Sequence, residues 1–246
     1  MTTMDIPGAT STPTVILTGP TRGLGHALFV QLVSQDYPIV AVGRDLARID
    51  DVAMVASAPV ELVEVDLGDD DDALERVLDA LRRIILATTA GPLVFISNAS
   101  IIEPIGPATC LTLAGLERAL RINCLTPILM ANTLTEIADT QHRPLLVFDV
   151  SSGAASRPVR GWQAYCTSKA AYKMALDVLA AENSHVQVTH FDPGIMDTPM
   201  QQVIRGQREE DMPEVAAFRA YQDEGLLKAP PAVAADIILQ MRRHLR

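Results

Sequence analysis

Residues 14–25 decide the fold, and they read TVILTGPTRGLG. The first four form an apolar run of strand length, and an apolar pattern of helical period starts near Gly23 and continues to Val33. A strand, a glycine turn and a helix in this order direct backbone N–H groups and the positive end of the helix at a phosphate. The spacing is Gly-x-x-x-Gly-x-Gly, which differs from the Gly-x-Gly-x-x-Gly dinucleotide fingerprint. A plain turn that needs positive φ would also use glycines, so both interpretations stay open here.

Five further apolar runs alternate with helical patterns, at residues 39–42, 60–65, 93–96, 145–150 and 186–191. This alternation is typical of a parallel sheet with helices on both faces and ligands at the carboxyl ends of its strands. We therefore predict a single-domain α/β fold, a Rossmann-type doubly wound sheet of six strands, with a seventh left open. Residues 1–12 are expected to form a flexible tail and 13–246 the dinucleotide-binding and catalytic domain, with 196–227 as a substrate lid.

The composition excludes several classes of partner. The 246 residues carry a net charge of −10, which argues against nucleic acid and anionic membranes. No apolar run has membrane-spanning length, and the first residues lack the basic region and apolar core of a signal peptide. Three cysteines without a Cys-x-x-Cys pair suit a reducing cytoplasm, and the five histidines show no ligand spacing with them. We predict a cytoplasmic protein without a metal site.

The chemistry is expected at Ser152, Tyr165 and Lys169. A tyrosine and a lysine four residues apart on a helix lie on the same face. A phenol, with a reference pKa of about 10, is a reluctant acid, and a neighbouring ammonium favours its ionised form. Ser152 follows the apolar run 145–150 and could offer its hydroxyl to the same substrate oxygen. Such a trio suits carbonyl reduction or alcohol oxidation, although a solvated helix face would give the same spacing.

The strand at residues 39–42 indicates the type of cofactor. An acidic residue at the end of this strand would hold a ribose 2′-hydroxyl, whereas an arginine would accept a 2′-phosphate. Arg44 stands there and Arg22 lies in the glycine turn, which favours NADP(H) because guanidinium groups bind phosphate bidentately. Two solvated arginines are the alternative. We interpret Asp45 as the N-cap of the next helix.

Two helices can be predicted in more detail. The acidic run 69–72 precedes an amphipathic pattern and should complement the positive end of a helix. A long helical stretch, residues 113–138, contains Asn123, and we expect Pro127 to kink it one turn later.

These motifs together resemble the short-chain dehydrogenase/reductase family in its single-domain form of about 250 residues. The matching positions are Thr18-Gly19 to Gly25, Asp66, Asn98-Ala99, Asn123, Ser152, Tyr165, Lys169 and Pro193-Gly194 with Thr198.

The resemblance implies a role for each matched position. Tyr165 would be the general acid and Ser152 would polarise the carbonyl. Lys169 would hold the nicotinamide ribose and assist Tyr165, and Asn123 would fix a water in a proton relay. The cofactor would contact Gly19, Thr21, Arg22, Gly23, Leu24, Gly25, Arg44, Asp66, Leu67, Asn98, Ala99, Tyr165, Lys169, Pro193, Gly194, Ile195 and Thr198. Among these, Asp66 would meet the adenine, Asn98 the adjoining ribose, and Ile195 and Thr198 the carboxamide.

The sequence departs from the family pattern in two places. Ser97-Asn98-Ala99-Ser100 stands where Asn-Asn-Ala-Gly is usual, so close backbone approach at Ser100 is less certain. The chain ends after the helix predicted at residues 232–245, where most relatives add a strand that serves the substrate pocket and the tetramer. The resemblance therefore favours a homodimer and makes the tetramer doubtful.

A narrower resemblance points to the substrate. Residues 103–107 and 193–205 are similar to the branch that holds sepiapterin reductase and the bacterial benzil reductases. This implies NADPH-dependent reduction of a ketone or diketone, with Trp162, Met196 and Met200 beside Ser152 as substrate contacts, because thioethers and aromatic rings suit bulky apolar carbonyl compounds.

Several alternatives stay open. Arg157 and Arg160 are near enough to the predicted site to leave an acidic substrate open. The same machinery could act as an NADP-dependent alcohol or hydroxysteroid dehydrogenase. A non-catalytic NADP(H)-sensing protein is a third class, although such proteins usually lose the tyrosine or the lysine, and this chain keeps both.

Overall fold

The structure is a computed structural model that describes residues 12–88 and 91–245. The predicted tail, residues 1–12, lies outside the described residues apart from residue 12. Six parallel strands form one sheet: β1 (Thr14–Thr18), β2 (Ile39–Gly43), β3 (Val60–Glu64), β4 (Leu93–Ser97), β5 (Leu145–Val150) and β6 (Val186–Phe191). Their order is β3-β2-β1-β4-β5-β6, which confirms the predicted doubly wound fold.

The described helices are α1 (Gly23–Val33), α2 (Asp50–Met54), α3 (Asp71–Leu86), α4 (Leu113–Leu120), α5 (Thr126–Thr140), α6 (Gln163–Glu182), α7 (Pro199–Arg205), α8 (Val215–Asp223) and α9 (Pro230–His244). No helix in the described part of the chain is long and apolar enough to cross a membrane.

The central strands are buried on both faces, which explains why they read as continuous apolar runs. All residues of β1, β2, β4 and β5 are buried. One face packs against α1 and α9, for example through Phe29 and Ile237. The other packs against α3, α5 and α6, through residues such as Leu81, Leu134 and Tyr172. The strand order reverses between β1 and β4, and this switch point opens a crevice at the carboxyl ends of the strands.

The acidic run at residues 69–72 behaves as predicted. Asp70 is the N-cap of α3, and its side chain accepts a hydrogen bond of 2.9 Å from the N–H of Ala73. Asp71 and Asp72 lie in the first turn, where they complement the helix dipole.

Asp45 occupies the predicted N-cap position, but it does not cap the turn. This residue precedes a short 3₁₀ turn at Leu46–Ile49, but its side chain makes no capping hydrogen bond. Its φ of 54° is left-handed, whereas a capping side chain needs an extended backbone to reach the N–H groups of the first turn.

The helical stretch that contains Asn123 is irregular one turn before the predicted kink. A π-helical turn, Arg121–Leu125, joins α4 to α5, and Pro127 lies in the first turn of α5. Pro127 has no N–H with which to close an α-helical bond to the carbonyl of Asn123. Single π turns of this kind are frequent at functional sites.

Candidate active site

A cavity of about 550 Å³ lies at the carboxyl ends of the strands. Its wall runs from the glycine turn past the ends of β2, β3, β4 and β5 to α7 and α8. Every residue predicted to contact the cofactor or the substrate lines this cavity. Of the predicted catalytic residues, Ser152, Tyr165 and Lys169 also line it, whereas Asn123 does not.

The glycine turn is shaped by close approach of the backbone. A Cβ atom on Gly25 would lie only 1.9 Å from the carbonyl oxygen of Gly19, so no larger residue fits there. The Nδ2 group of Asn98 donates to the carbonyl oxygens of Thr18 (2.9 Å) and Gly19 (3.1 Å). Thr18 Oγ1 in turn accepts from the N–H groups of Asn98 and Ala99, both at 3.0 Å. The end of β4 thus clamps the turn, and the N–H groups of the Asn98 side chain are committed to that role.

Tyr165 and Lys169 lie one turn apart at the start of α6, and both are almost fully buried, with 6% and 3% of their surface exposed. Lys169 Nζ donates a hydrogen bond of 2.8 Å to the carbonyl oxygen of Val150, the last residue of β5. Ser152 Oγ accepts a bond of 3.2 Å from the N–H of Ala154, which leaves the hydroxyl proton available to a ligand. The arrangement places an ammonium, a phenol and a hydroxyl around one end of the cavity.

Asn123 is fully hydrogen-bonded within the protein. Its Nδ2 group donates to the carbonyl oxygen of Ile101 (2.8 Å) and to Ser168 Oγ (3.1 Å). Its Oδ1 accepts from the N–H of Ile101 (2.9 Å) and from Ser100 Oγ (3.1 Å). The side chain therefore ties the segment after β4 to α6. Ser100, which departs from the family pattern, takes part in this network through its hydroxyl.

The ends of β2 and β3 carry an ionic cluster that we define as Arg44, Asp66 and Arg118. Asp66 Oδ2 lies 3.1 Å from Arg44 Nη1 and 3.2 Å from Arg118 Nη2, and Asp66 Oδ1 accepts from the N–H of Gly68 at 2.8 Å. Partial burial acts to raise the pKa of Asp66, but the Gly68 N–H and the two guanidinium groups outweigh it, so the pKa lies below its usual value. Arg118, on α4, was not predicted, because nothing in its local pattern relates it to a strand end 52 residues earlier.

An aromatic wall made of Tyr165, Trp162, Phe218 and Tyr221 lines the cavity beside α6 and α8. Successive ring centroids are 5.7, 5.4 and 5.9 Å apart, and the first and last pairs meet edge to face. Trp162 was predicted from its place before α6. Phe218 and Tyr221 of α8 were not, although their spacing of three residues on a helix was a usable signal.

A parallel sheet with a glycine turn at its switch point, and a buried Tyr/Lys pair beside it, define a Rossmann-type dinucleotide-binding protein. The family model described as "short chain dehydrogenase" matches residues 13–209. The chain therefore belongs to the short-chain dehydrogenase/reductase family, a family of oxidoreductases that use nicotinamide cofactors.

The comparisons also identify individual relatives. The chain is 28% identical to "Benzil reductase ((S)-benzoin forming)" of Bacillus subtilis (strain 168) over 227 residues, which cover 91% of this chain and 90% of that protein. It is 31% identical to sepiapterin reductase of Mus musculus over 201 residues, 77% of each chain. Its fold is similar to that of a short-chain dehydrogenase from Sphingobium yanoikuyae in complex with NADPH, with a TM-score of 0.75, 20% identity and coverage of 94% of this chain and 85% of that one.

The residues around the glycine turn fit such a cofactor. The close approach at Gly25 packs the turn against Gly19, and residues 23–25 at the N-terminus of α1 line the cavity, where N–H groups favour a phosphate. Arg22 adds a guanidinium group that has no ion pair within residues 12–88 and 91–245. The residues that bear the exchangeable protons, Ser152, Tyr165 and Lys169, line the same cavity as the glycine turn.

Proposed function

We propose that this protein is an NADPH-dependent carbonyl reductase that reduces a ketone or diketone of the benzil type to an alcohol. One observation carries the proposal: Ser152, Tyr165 and Lys169, which bear two hydroxyl groups and an ammonium, line the same cavity as the glycine turn. The bacterial relative that covers most of this chain is a benzil reductase, which supports an aryl diketone as substrate.

Each residue has its own role in the proposed reaction. Ser152 and Tyr165 donate hydrogen bonds to the carbonyl oxygen of the substrate, and Tyr165 transfers its proton to that oxygen as negative charge develops there. Lys169, fixed by Val150, stabilises the resulting phenolate. NADPH supplies the hydride when bound, and the glycine turn, Asn98 and residues 193–198 orient it. Asn123, whose side chain is fully engaged, acts by holding α6 and the segment after β4 in place.

The reaction itself is the first test. Purified protein given benzil and NADPH should form benzoin, with one NADPH oxidised for each benzoin. If the protein binds NADPH but reduces none of the ketones, diketones and quinones offered to it, the protein is a cofactor sensor and not an enzyme. Turnover only of secondary alcohols with NADP⁺ would favour the alcohol dehydrogenase instead.

The preference for NADPH rests on Arg44 and Arg22. Arg44 remains 48% exposed beside Asp66, so most of its N–H groups are free to bind a 2′-phosphate. If Arg44 leaves Asp66, that carboxylate keeps Arg118 and the Gly68 N–H as partners.

Arg44→Ala should weaken NADPH binding about 10-fold or more, the usual scale for a lost charge-assisted hydrogen bond, and leave NADH binding nearly unchanged. Equilibrium titration of cofactor fluorescence measures both constants. The matched control is Arg82→Ala, which removes an exposed arginine from α3 that pairs with Asp79. Equal losses for both cofactors in Arg44→Ala would reject the phosphate role.

We propose that residues 196–227 act as a lid over the substrate. The two ends of this segment are joined, because the N–H of Lys228 donates to Ile195 O (2.9 Å) and the N–H of Asp197 donates to Lys228 O (3.0 Å). Between them, α7 and α8 contribute Met200 and Phe218 to the cavity wall.

We also propose a homodimer in which a second copy covers an apolar face formed by the π turn, α5 and α6. Leu125 and Leu129 are 50% and 40% exposed, and Met174 and Val178 on the neighbouring helix are 63% and 47% exposed. Each pair is spaced four residues apart, so each forms a stripe along its helix. Exposed apolar stripes on two helices in contact are typical of an interface, and the family resemblance favours a homodimer.

A further inference from the structure

Nothing in the sequence distinguishes Arg157 from Arg160, but the structure places them in different surroundings. Arg160 Nε forms an ion pair of 2.8 Å with Glu214 Oε1, and Arg160 does not line the cavity. Arg157 lines the cavity, and its guanidinium has no hydrogen bond or ion pair to any other described residue. A free guanidinium group in the wall of a substrate cavity is available to a ligand.

Arg157 lies beside the reacting groups. Its backbone N–H donates to the carbonyl oxygen of Gly153 (3.1 Å), which closes the short turn after Ser152. A methyl group placed on Gly153 would lie 3.2 Å from Arg157 Nε and 3.6 Å from Asp192 Oδ2. The guanidinium and the carboxylate therefore flank the residue that follows the catalytic serine.

The presence of Asp192 decides which ligand fits. Its carboxylate offsets the charge of Arg157, so a substrate with a full negative charge would also meet repulsion from Asp192. A neutral carbonyl oxygen can accept an N–H of the guanidinium without that penalty. The aromatic wall on the same side of the cavity also favours an uncharged, ring-bearing molecule.

We propose that Arg157 is a specificity-determining residue that binds the second carbonyl oxygen of a neutral vicinal diketone. Ser152 and Tyr165 hold the oxygen that reacts, as in the proposed function on which this inference rests. The reacting carbon gains a hydride from NADPH and its oxygen gains the proton of Tyr165, whereas the neighbouring carbonyl stays intact on Arg157. The product is an α-hydroxy ketone.

Two compounds of similar size that differ in one carbonyl group test this assignment. Benzil has two adjacent carbonyl groups, and deoxybenzoin keeps both rings but replaces one carbonyl with a methylene. Arg157→Met should lower kcat/KM for benzil about 10- to 100-fold, the scale of a hydrogen bond to a charged group, with little change for deoxybenzoin. Where deoxybenzoin turns over too slowly, its inhibition constant against benzil takes the place of kcat/KM. Arg157→Lys should restore part of the benzil activity.

The control is Arg82→Met, which removes the same charge from an exposed arginine of α3 that does not line the cavity, and it should leave the benzil-to-deoxybenzoin ratio unchanged. An unchanged ratio in Arg157→Met, or an equal loss for both compounds, would overturn the assignment. Faster reduction of phenylglyoxylate than of benzil by the wild-type protein would also overturn it, because an anion would then be the preferred ligand. These outcomes leave the general reductase intact, since that role is tested separately by Tyr165→Phe.

Discussion

At the scale of single residues, the cofactor end of the cavity depends on how closely two stretches of backbone meet. Gly25 and Gly19 touch across the turn, and the Asn98 side chain is bonded to the same carbonyl oxygen. A side chain at position 25 would force these groups apart and displace the N–H groups that begin α1. We therefore expect the turn to couple stability and cofactor binding at one position.

Gly25→Ala should reduce the free energy of unfolding by about 1–3 kcal/mol, the usual cost of overpacking, and should abolish measurable NADPH binding. Urea denaturation and cofactor titration measure the two effects. Gly206→Ala is the control, because a Cβ atom there would meet its nearest neighbour at 3.4 Å, an ordinary contact. Unimpaired NADPH binding in Gly25→Ala would show that the turn does not hold the cofactor.

The residues that the sequence could identify are those with a local pattern. Tyr165 and Lys169 are one helical turn apart, and Ser152 directly follows a strand that alternation had already located. Arg118 could not be found in this way, because its partnership with Asp66 exists only after α4 packs beside the end of β3. The distinction between Arg157 and Arg160 likewise depends on the position of Glu214, which no spacing predicts.

At the scale of elements, an ionic cluster that runs from the buried Asp149 to the exposed Asp177 and Lys173 connects β5, β6 and α6. His190 Nδ1 lies 2.9 Å from Asp149 Oδ2, and His190 Nε2 lies 3.1 Å from Asp177 Oδ1. The Asp177 carboxylate also pairs with Lys173. The hydrogen bond to Asp149 raises the pKa of His190, burial opposes this, and Asp177 adds to it. Asp149 is the residue before Val150, whose carbonyl holds Lys169.

The contacts of His190 predict that the stability of the fold depends on pH. Since the pKa of His190 is raised on folding, the folded state binds the proton more tightly than the unfolded state. The stabilisation is complete below about pH 6.5, the ordinary value for histidine, and is lost as the pH rises through the raised value. The difference in unfolding free energy between wild type and His190→Asn should therefore shrink from about pH 6 to pH 8. Denaturant titrations across this range measure it, and a difference that is constant or grows with pH would contradict the pairing.

Element boundaries were predictable except where the backbone leaves regular geometry. The acidic run at the start of α3 is a local signal, and the helix start predicted from it was confirmed. The left-handed Asp45 and the π turn at Arg121–Leu125 were missed, because neither changes the apolar pattern from which the elements were located. The side chain of Asn123 is buried and fully bonded in that π turn, a position that an uninterrupted α-helix would not have indicated.

At the scale of the whole molecule, the alternation of strand and helix was enough to predict the sheet, because parallel strands need crossover helices and right-handed crossovers leave few arrangements. Which apolar side chains stay exposed on the surface could not be predicted in this way, because it depends on how the helices pack. The stripes Leu125/Leu129 and Met174/Val178 remain exposed on helices whose other faces are in the core.

If a second copy covers these stripes, introducing charge there should dissociate it. Leu129→Glu combined with Met174→Glu is expected to convert a dimer into a monomer in sedimentation velocity experiments, because two carboxylates would be buried unpaired at each contact. Met54→Glu is the matched control, since Met54 is 84% exposed on α2 and lies outside the proposed interface. A wild-type protein that is already monomeric at micromolar concentration would refute the dimer.

The central claim is that Tyr165 supplies the proton during carbonyl reduction, and the turnover of Tyr165→Phe with benzil and NADPH tests it most directly. The variant should bind NADPH as wild type does and lose about 10²-fold or more in kcat, the usual scale for a general acid. Tyr172→Phe, two turns along the same helix and equally buried, should keep its turnover. Near wild-type kcat in Tyr165→Phe, with cofactor binding intact, would contradict the mechanism.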